Sequence, residues 1–204
     1  MTLLHSLLPW LGQLLMMAIL FSMLVQKLAT HQPYRLGLIF VLLALGFSIP
    51  LAGSTLAQWL RSVVGDLSVL TLVIFTDILS RRMWNLKLLD TRSRKSLLLV
   101  AGLLGVVFYP LALGYGPVDP YRVGYAPLMM VYMLGLTSVI VWVRQARMFA
   151  VILLLPLLAY NLHLLESDNL WNYLLDPLLV IYALVQSADV VLKQLKLKRG
   201  LRQK

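Results

Sequence analysis

Acidic and aromatic side chains in two short segments are the residues of this chain best suited to chemistry. Residues 114–127 (GYGPVDPYRVGYAP) and 166–177 (ESDNLWNYLLDP) are also rich in glycine, proline and asparagine, which favour ordered turns. Carboxylates beside aromatic rings can hold a sugar, an amine, a cation or a lipid head group. We therefore predict one binding site formed by Asp66, Asp119, Tyr121, Arg122, His163, Glu166, Asp168, Trp171 and Asp176. The alternative is that acids simply accumulate where basic residues are excluded.

Catalytic and metal-binding signatures are scarce. The chain has no cysteine, which excludes disulfides, thiolate metal sites and thiol nucleophiles. It also lacks a phosphate-binding glycine loop, an H-E-x-x-H motif and a G-x-S-x-G motif. An enzyme acting on lipid head groups would have to use Glu166, Asp168 and His163 as acid, base or ligands. The sequence favours a protein that is not an enzyme and has no cofactor or metal.

The elements that position these residues must be membrane helices. Of the 204 residues 60% are hydrophobic and only 13% are charged, whereas soluble domains are about a quarter charged. A net charge of +10 is typical of some nucleic-acid-binding proteins. Here, however, the basic residues lie in short runs between apolar segments, which is typical of membrane loops. We predict no nucleic-acid partner.

Seven apolar segments are candidates for transmembrane helices, each of which needs about 20 residues. The segment 62–79 is the weakest because it contains Asp66 and Asp77. We predict an all-α transmembrane bundle in a single domain, residues 1–192, followed by a basic cytoplasmic tail, residues 193–204. The predicted spans are 8–26, 36–53, 62–79, 96–113, 127–143, 148–165 and 174–192.

Basic residues set the predicted orientation. Seven spans with the N-terminus outside and the C-terminus inside leave only Arg61 and Arg122, of 18 Lys and Arg, on the outer side. This asymmetry follows the positive-inside rule. If 62–79 does not cross, six spans with the N-terminus inside leave Lys27, Arg35 and Arg122 outside, so charge alone barely separates the two topologies. The two agree from residue 81 onward.

The spacing of two acids suggests a polar stripe within the third span. On a continuous helix, Asp66 and Asp77 share one face because eleven residues are close to three turns. Asp77 has Arg81 one turn later and is predicted to form an ordinary ion pair. Asp66 has no such neighbour and is therefore the stronger functional candidate. A weak internal repeat of three helices, a linker helix and three helices adds a second hypothesis, a small-solute transporter.

The leading hypothesis is a non-enzymatic accessory or binding component of cell-envelope biogenesis. It would be a multi-pass protein of the bacterial inner membrane and bind a lipid-linked or glycan component through its outer face. The expected partners are the bilayer, with anionic lipids at the basic tail and at loop 81–95, and a larger membrane or periplasmic protein.

Overall fold

The computed structural model describes the backbone of residues 7–28 and 32–201, and the side chains of 8–25, 34–50 and 52–189. This part of the chain is mostly helical, which confirms the predicted all-α class. A two-stranded antiparallel hairpin and a 3₁₀ helix, Tyr121–Tyr125, interrupt the helices. The elements are α1 Leu7–Leu28, α2 Gln32–Ser48, β1 Pro50–Leu51, β2 Ser54–Thr55, α3 Leu56–Val64, α4 Val69–Trp84, α5 Thr91–Ala112, α6 Leu128–Val143, α7 Arg147–Asn161, α8 Trp171–Leu174 and α9 Pro177–Leu201.

Each predicted apolar segment overlaps a helix. Two helices contain stretches long and apolar enough to cross a membrane, Leu8–Val25 in α1 and Thr91–Ala112 in α5. Four shorter apolar stretches lie in α2, α6, α7 and the first half of α9. The backbone of α9 continues to Leu201 without a break at 192, and the side chains of the predicted tail lie outside the described residues.

The prediction of one helix over 62–79 is wrong. Helix α3 ends at Gly65, whose φ of 77° ends the helical backbone, and α4 begins only at Val69. The side chain of Ser68 caps α4 by accepting a hydrogen bond from the backbone N–H of Thr71. Asp66 therefore lies in the short break between the two helices and shares no helix face with Asp77.

Two other predicted spans end earlier than the sequence suggested. Helix α2 stops at Ser48, and Pro50 lies in the β-hairpin rather than in the span 36–53. Helix α7 stops at Asn161 because His163 has a φ of 49°. The N–H of Leu164 donates a hydrogen bond to the carbonyl of Ala159, which satisfies this carbonyl at the helix C-terminus. His163 thus lies in a loop and not within the span 148–165.

The helices form a bundle with two distinguishable ends. Helix α1 packs against α2 and α4, α4 packs against α7, α6 pairs with α7, and α5 pairs with α9. Trp10 of α1 stacks on Phe47 of α2 at one end, where their ring centroids are 5.8 Å apart. We call this the acidic end; it also carries residues 113–127 and 162–176. The opposite end, with residues 85–90 and 144–146, is the basic end.

Charged residues are divided between these two ends. The acidic end holds the cations Arg61 and Arg122 and five acids, Asp66, Asp119, Glu166, Asp168 and Asp176. The basic end holds the cations Arg35, Arg81, Arg82, Lys87, Arg92, Arg94, Lys95, Arg144 and Arg147. Helix α4 runs from one end to the other, because Ser68 contacts Asp176 while Arg82 and Met83 lie beside Arg35 and Ile39.

Candidate functional site

A cavity of about 490 Å³ opens at the acidic end, and we call it the vestibule. It lies among the C-terminal end of α5, the N-terminal ends of α4 and α9, and the two segments that the sequence singled out. Four of the nine predicted site residues line it: Asp66, Tyr121, Trp171 and Asp176. The other lining residues are Phe108, Tyr109, Ala112, Leu113, Leu165, Ser167, Asn172, Leu175 and Pro177.

The two loop segments are locked together by hydrogen bonds. Asn169 is fully buried and donates through Nδ2 to the carbonyl oxygen of Tyr121 at 3.0 Å. Trp171 donates through Nε1 to the carbonyl of Pro120 at 2.9 Å, and the N–H of Leu170 donates to Gly124 at 3.0 Å. A Cβ atom at Gly124 would overlap the Asn169 side chain and lie 2.7 Å from Cδ1 of Trp171. The loops therefore form one ordered unit.

Aromatic rings make the wall of the vestibule on the α5 side. The ring centroid of Phe108 lies 4.5 Å from that of Trp171 and 6.3 Å from that of Tyr121. The hydroxyl of Tyr121 donates to Oδ1 of Asn172 at 3.2 Å. Burial raises the pKa of the Tyr121 phenol above its usual value. The wall therefore presents neutral rings and hydroxyl or amide groups at physiological pH.

Asp176 has a structural role in addition to lining the vestibule. Its Oδ2 accepts hydrogen bonds from the backbone N–H of Ser68 at 2.8 Å and from the hydroxyl of Thr71. Its Oδ1 accepts from the N–H of Leu179 at 2.9 Å. One buried carboxylate thus satisfies donors at the first turns of both α4 and α9, where helix dipoles also favour negative charge.

Asp66 is paired, contrary to the prediction that it has no partner. Its two carboxylate oxygens accept from Nε and Nη2 of Arg61 at 2.8 and 3.2 Å. Arg61 Nη2 also lies 3.6 Å from Oε2 of Glu166. The hydrogen bond with Asp66 is the main cause that raises the pKa of Arg61. Because the helix ends at Gly65, Asp66 leaves the helical path and its carboxylate contacts the guanidinium of Arg61.

The other predicted site residues lie outside the cavity lining. Asp119 accepts a hydrogen bond from the N–H of Tyr121 at 2.9 Å and so shapes the first loop. Arg122, Glu166 and Asp168 are exposed around the rim. His163 is also exposed, and its ring centroid lies 6.2 Å from that of Tyr160. Among the described residues, no three His, Asp or Glu side chains are grouped closely enough to hold a metal ion.

Nine of the thirteen residues that line the vestibule were not among the predicted site residues. Phe108 and Tyr109 belong to the predicted span 96–113, and only the fold places them beside the two loop segments. Asn169 and Asn172 were recognised as polar loop residues, but their role in joining the loops depends on contacts with residues 48 and 51 positions away. The only local signal was the cluster F-Y-P at the C-terminal end of α5.

A second polar cluster lies at the basic end. Asp77 is fully buried, and its Oδ2 lies 2.7 Å from Nε of Arg81, which confirms the predicted ion pair. The same oxygen lies 3.3 Å from Nε of Arg94, and Oδ1 accepts from the backbone N–H groups of Leu88 and Leu89. This cluster fixes the α4–α5 loop on the ends of both helices.

Comparisons with known proteins give no further guide to the site. No family model, no curated protein and no solved structure matches the chain. The site must therefore be interpreted from its own geometry.

Proposed function

We propose that this protein spans the bacterial inner membrane seven times, through α1, α2, α4, α5, α6, α7 and α9. The N-terminus and the acidic end would face outward, and the basic end would face the cytoplasm. The concentration of Lys and Arg at the basic end supports this orientation, since cytoplasmic loops are enriched in these residues. The course of α4 from one end to the other favours seven spans over six.

The apolar surface of the helices supports a lipid environment. Only 33% of the Thr91–Ala112 stretch is buried, so most of this helix faces outward. Soluble monomers rarely expose large continuous apolar patches, whereas hydrocarbon chains solvate them. The apolar side chains exposed on α5 and α6 include Leu99, Leu103, Val106, Val107, Leu136, Val139, Ile140 and Val143.

The vestibule is suited to a hydroxylated ligand, and we propose that it binds the sugar of a lipid-linked or glycan component of the envelope. Both lining carboxylates already have positive partners: Asp66 has Arg61, and Asp176 has two helix N-termini. A cationic ligand would therefore find little uncompensated negative charge. A sugar can donate to the remaining oxygen lone pairs while an apolar face of its ring packs on Trp171 or Tyr121. The proposal depends on one observation: an aromatic wall lies beside two carboxylates whose negative charges are already compensated.

The proposed role is binding rather than catalysis or transport. Glu166, Asp168 and His163, the residues of the enzyme hypothesis, lie outside the lining of the vestibule, and all three side chains are exposed. The transport hypothesis, which came from the internal repeat, also needs a polar path through the bundle; Asp66 lies in the break before α4 and shares no helix face with Asp77. No observation on the described residues favours either alternative.

Alkyl glycosides provide a direct test. The protein, with Trp10, Trp59, Trp84 and Trp142 replaced by Phe, would be placed in lipid nanodiscs so that Trp171 alone reports on the vestibule. Dodecyl maltoside at concentrations that leave the discs intact should shift the Trp171 emission saturably, and dodecylphosphocholine should not. Equal responses to the two head groups would refute sugar binding.

Two variants separate the cavity from its rim. Asn172→Ala should weaken maltoside binding roughly tenfold, the effect of losing one hydrogen bond of about 1.4 kcal/mol. Arg122→Gln, at the rim but outside the lining, should leave the affinity unchanged. A loss in Arg122→Gln with none in Asn172→Ala would place the ligand outside the vestibule.

A further inference from the structure

A second cavity, of about 530 Å³, lies between α5 and α6 on the side of the bundle, and we call it the lateral groove. Its lining is almost wholly apolar, with Thr137 as the one hydroxyl-bearing residue. The other lining residues are Leu70, Leu97, Val100, Ala101, Leu104, Pro120, Val123, Met129, Met130, Met133, Leu134, Phe149, Leu153, Trp171, Leu174 and Leu175.

The lateral groove has a buried floor and an open side. Leu97, Ala101 and Leu153 are at most 6% exposed and form the floor. Met129 and Met133 are 67% and 60% exposed, so the opening faces outward between the two helices. Because α5 packs on α9 and α6 packs on α7, the bundle leaves this gap unfilled. In the proposed topology the opening faces the hydrocarbon of the outer leaflet.

The groove and the vestibule share part of their walls. Trp171 and Leu175 line both cavities. Pro120 and Val123, from the same locked loops that border the vestibule, close the groove at the acidic end. A ligand passing beside Trp171 would thus have its polar part among hydroxyl and carboxylate groups and its apolar part among methionine and leucine side chains.

We propose that the lateral groove holds a hydrocarbon chain of a glycolipid whose sugar occupies the vestibule. This inference rests on the proposed sugar binding and specifies its substrate class as a lipid-linked sugar. From Met129 to Thr137 the groove extends about 12 Å along α6, at 1.5 Å per residue. It therefore accommodates the first part of a chain that descends from the membrane surface.

The two cavities contribute differently to recognition of the glycolipid. A chain that leaves the bilayer for the groove exchanges one apolar environment for another, so it gains little hydrophobic free energy. Selectivity must therefore come from the head group, while the groove fixes the direction of the chain. The flexible side chains of Met129, Met130 and Met133 suit chains of differing shape.

Photo-crosslinking tests this arrangement. Wild-type protein in phosphatidylcholine nanodiscs would receive a monoglucosyl diacylglycerol with a diazirine in one acyl chain, and a phosphatidylcholine with the same chain. Mass spectrometry should locate the glycolipid crosslinks at Met129, Met130 and Met133, with roughly tenfold less labelling by the phosphatidylcholine, a difference of about 1.4 kcal/mol. Unlabelled glucolipid should compete.

Variants on α6 distinguish loss of chain binding in the groove from loss of sugar binding in the vestibule. In the protein whose only tryptophan is Trp171, the double variant Met133→Phe with Thr137→Phe should fill the groove and remove the crosslinks while dodecyl maltoside still shifts Trp171 emission. The matched control, Leu136→Phe with Ile140→Phe, lies on α6 but outside the groove lining and should retain both signals. Labelling of α6 that does not depend on the head group, with maltoside binding intact, would overturn the inference and leave the proposed function standing. Equal responses of the protein that keeps only Trp171 to dodecyl maltoside and dodecylphosphocholine would overturn both.

Discussion

Replacing Asp77 by asparagine measures what the buried charge at the basic end contributes to stability. The Oδ2 atom of Asp77 lies 2.7 Å from Arg81 and 3.3 Å from Arg94, and Oδ1 accepts two backbone N–H groups. Asparagine is nearly isosteric and keeps one oxygen for the backbone donors. The substitution therefore removes mainly the negative charge between two cations.

The expected loss follows from the burial of the three side chains. Removing one partner of a buried ion pair typically costs about 3–5 kcal/mol. The side chains of Arg81 and Arg94 are 28% and 22% exposed, so both cations retain some contact with water. We therefore expect a loss near the lower limit, about 3 kcal/mol, which corresponds to a fall of roughly 6–12 °C in Tm for a chain of this size.

Thermal unfolding in detergent, followed by circular dichroism, would measure the change. Asp189→Asn, an exposed acid on α9, serves as the control and should leave Tm unchanged. Asp77→Asn leaves Arg94 without a negative partner, and the added Arg94→Gln removes that cation. The double variant should therefore lose less stability than the sum of the two single variants. Additive losses, or a Tm for Asp77→Asn equal to that of wild type, would refute the ion-pair reasoning.

Three further predictions concern topology, loop packing and pH. Because the chain has no native cysteine, a membrane-impermeant maleimide on intact spheroplasts should label Ser54→Cys but not Lys87→Cys. Gly124→Ala should destabilise the locked loops by about 1–3 kcal/mol, seen as a lower Tm, since its Cβ would overlap Asn169. Asp90 is the N-cap of α5, and its carboxylate accepts a hydrogen bond from the N–H of Ser93 at 2.9 Å. Hydrogen bonding to Ser93 lowers the pKa of Asp90, so the stabilising effect of this cap should be lost as the pH falls through that pKa.

Each of these three predictions has its own control. Lys87→Cys should react once the membrane is opened, and protection of Ser54→Cys in intact spheroplasts would favour the six-span topology. Gly135→Ala, with open space around its Cβ, should not lower Tm. Asp90→Asn keeps an N-cap without a titrating group, so its Tm should fall less than that of wild type below about pH 4; equal acid sensitivity would contradict the cap.

Local patterns in the sequence predicted what depends on local contacts. The apolar segments located the helices, and the four-residue spacing of Asp77 and Arg81 predicted their ion pair. The Gly, Pro and Asn content of residues 114–127 and 166–177 indicated ordered loops. For the helices and the ion pair, all the atoms that determine the outcome lie within one helix; for the loops, composition indicated the turns but not the hydrogen bonds that join the two segments.

Features that depend on an unexpected helix end or on distant contacts could not be predicted in this way. The Arg61–Asp66 pair requires the break after α3, and a segment rich in apolar residues gave no reason to expect an end at Gly65. The aromatic wall joins α5 to a loop about 60 residues later. His163 was placed in a helix because hydropathy does not detect a residue that adopts the left-handed conformation.

The carboxylate of Asp176 has a consequence for the order of assembly during synthesis. Its bonds to Ser68 and Thr71 join positions 108 and 105 residues apart, so the ribosome completes α4 long before it synthesises this carboxylate. Until the last helix emerges and inserts, the N–H of Ser68 must rely on water or lipid head groups. Insertion of α9 would then complete the bundle. A nascent chain released before residue 176 should be a preferred target for membrane quality-control proteases.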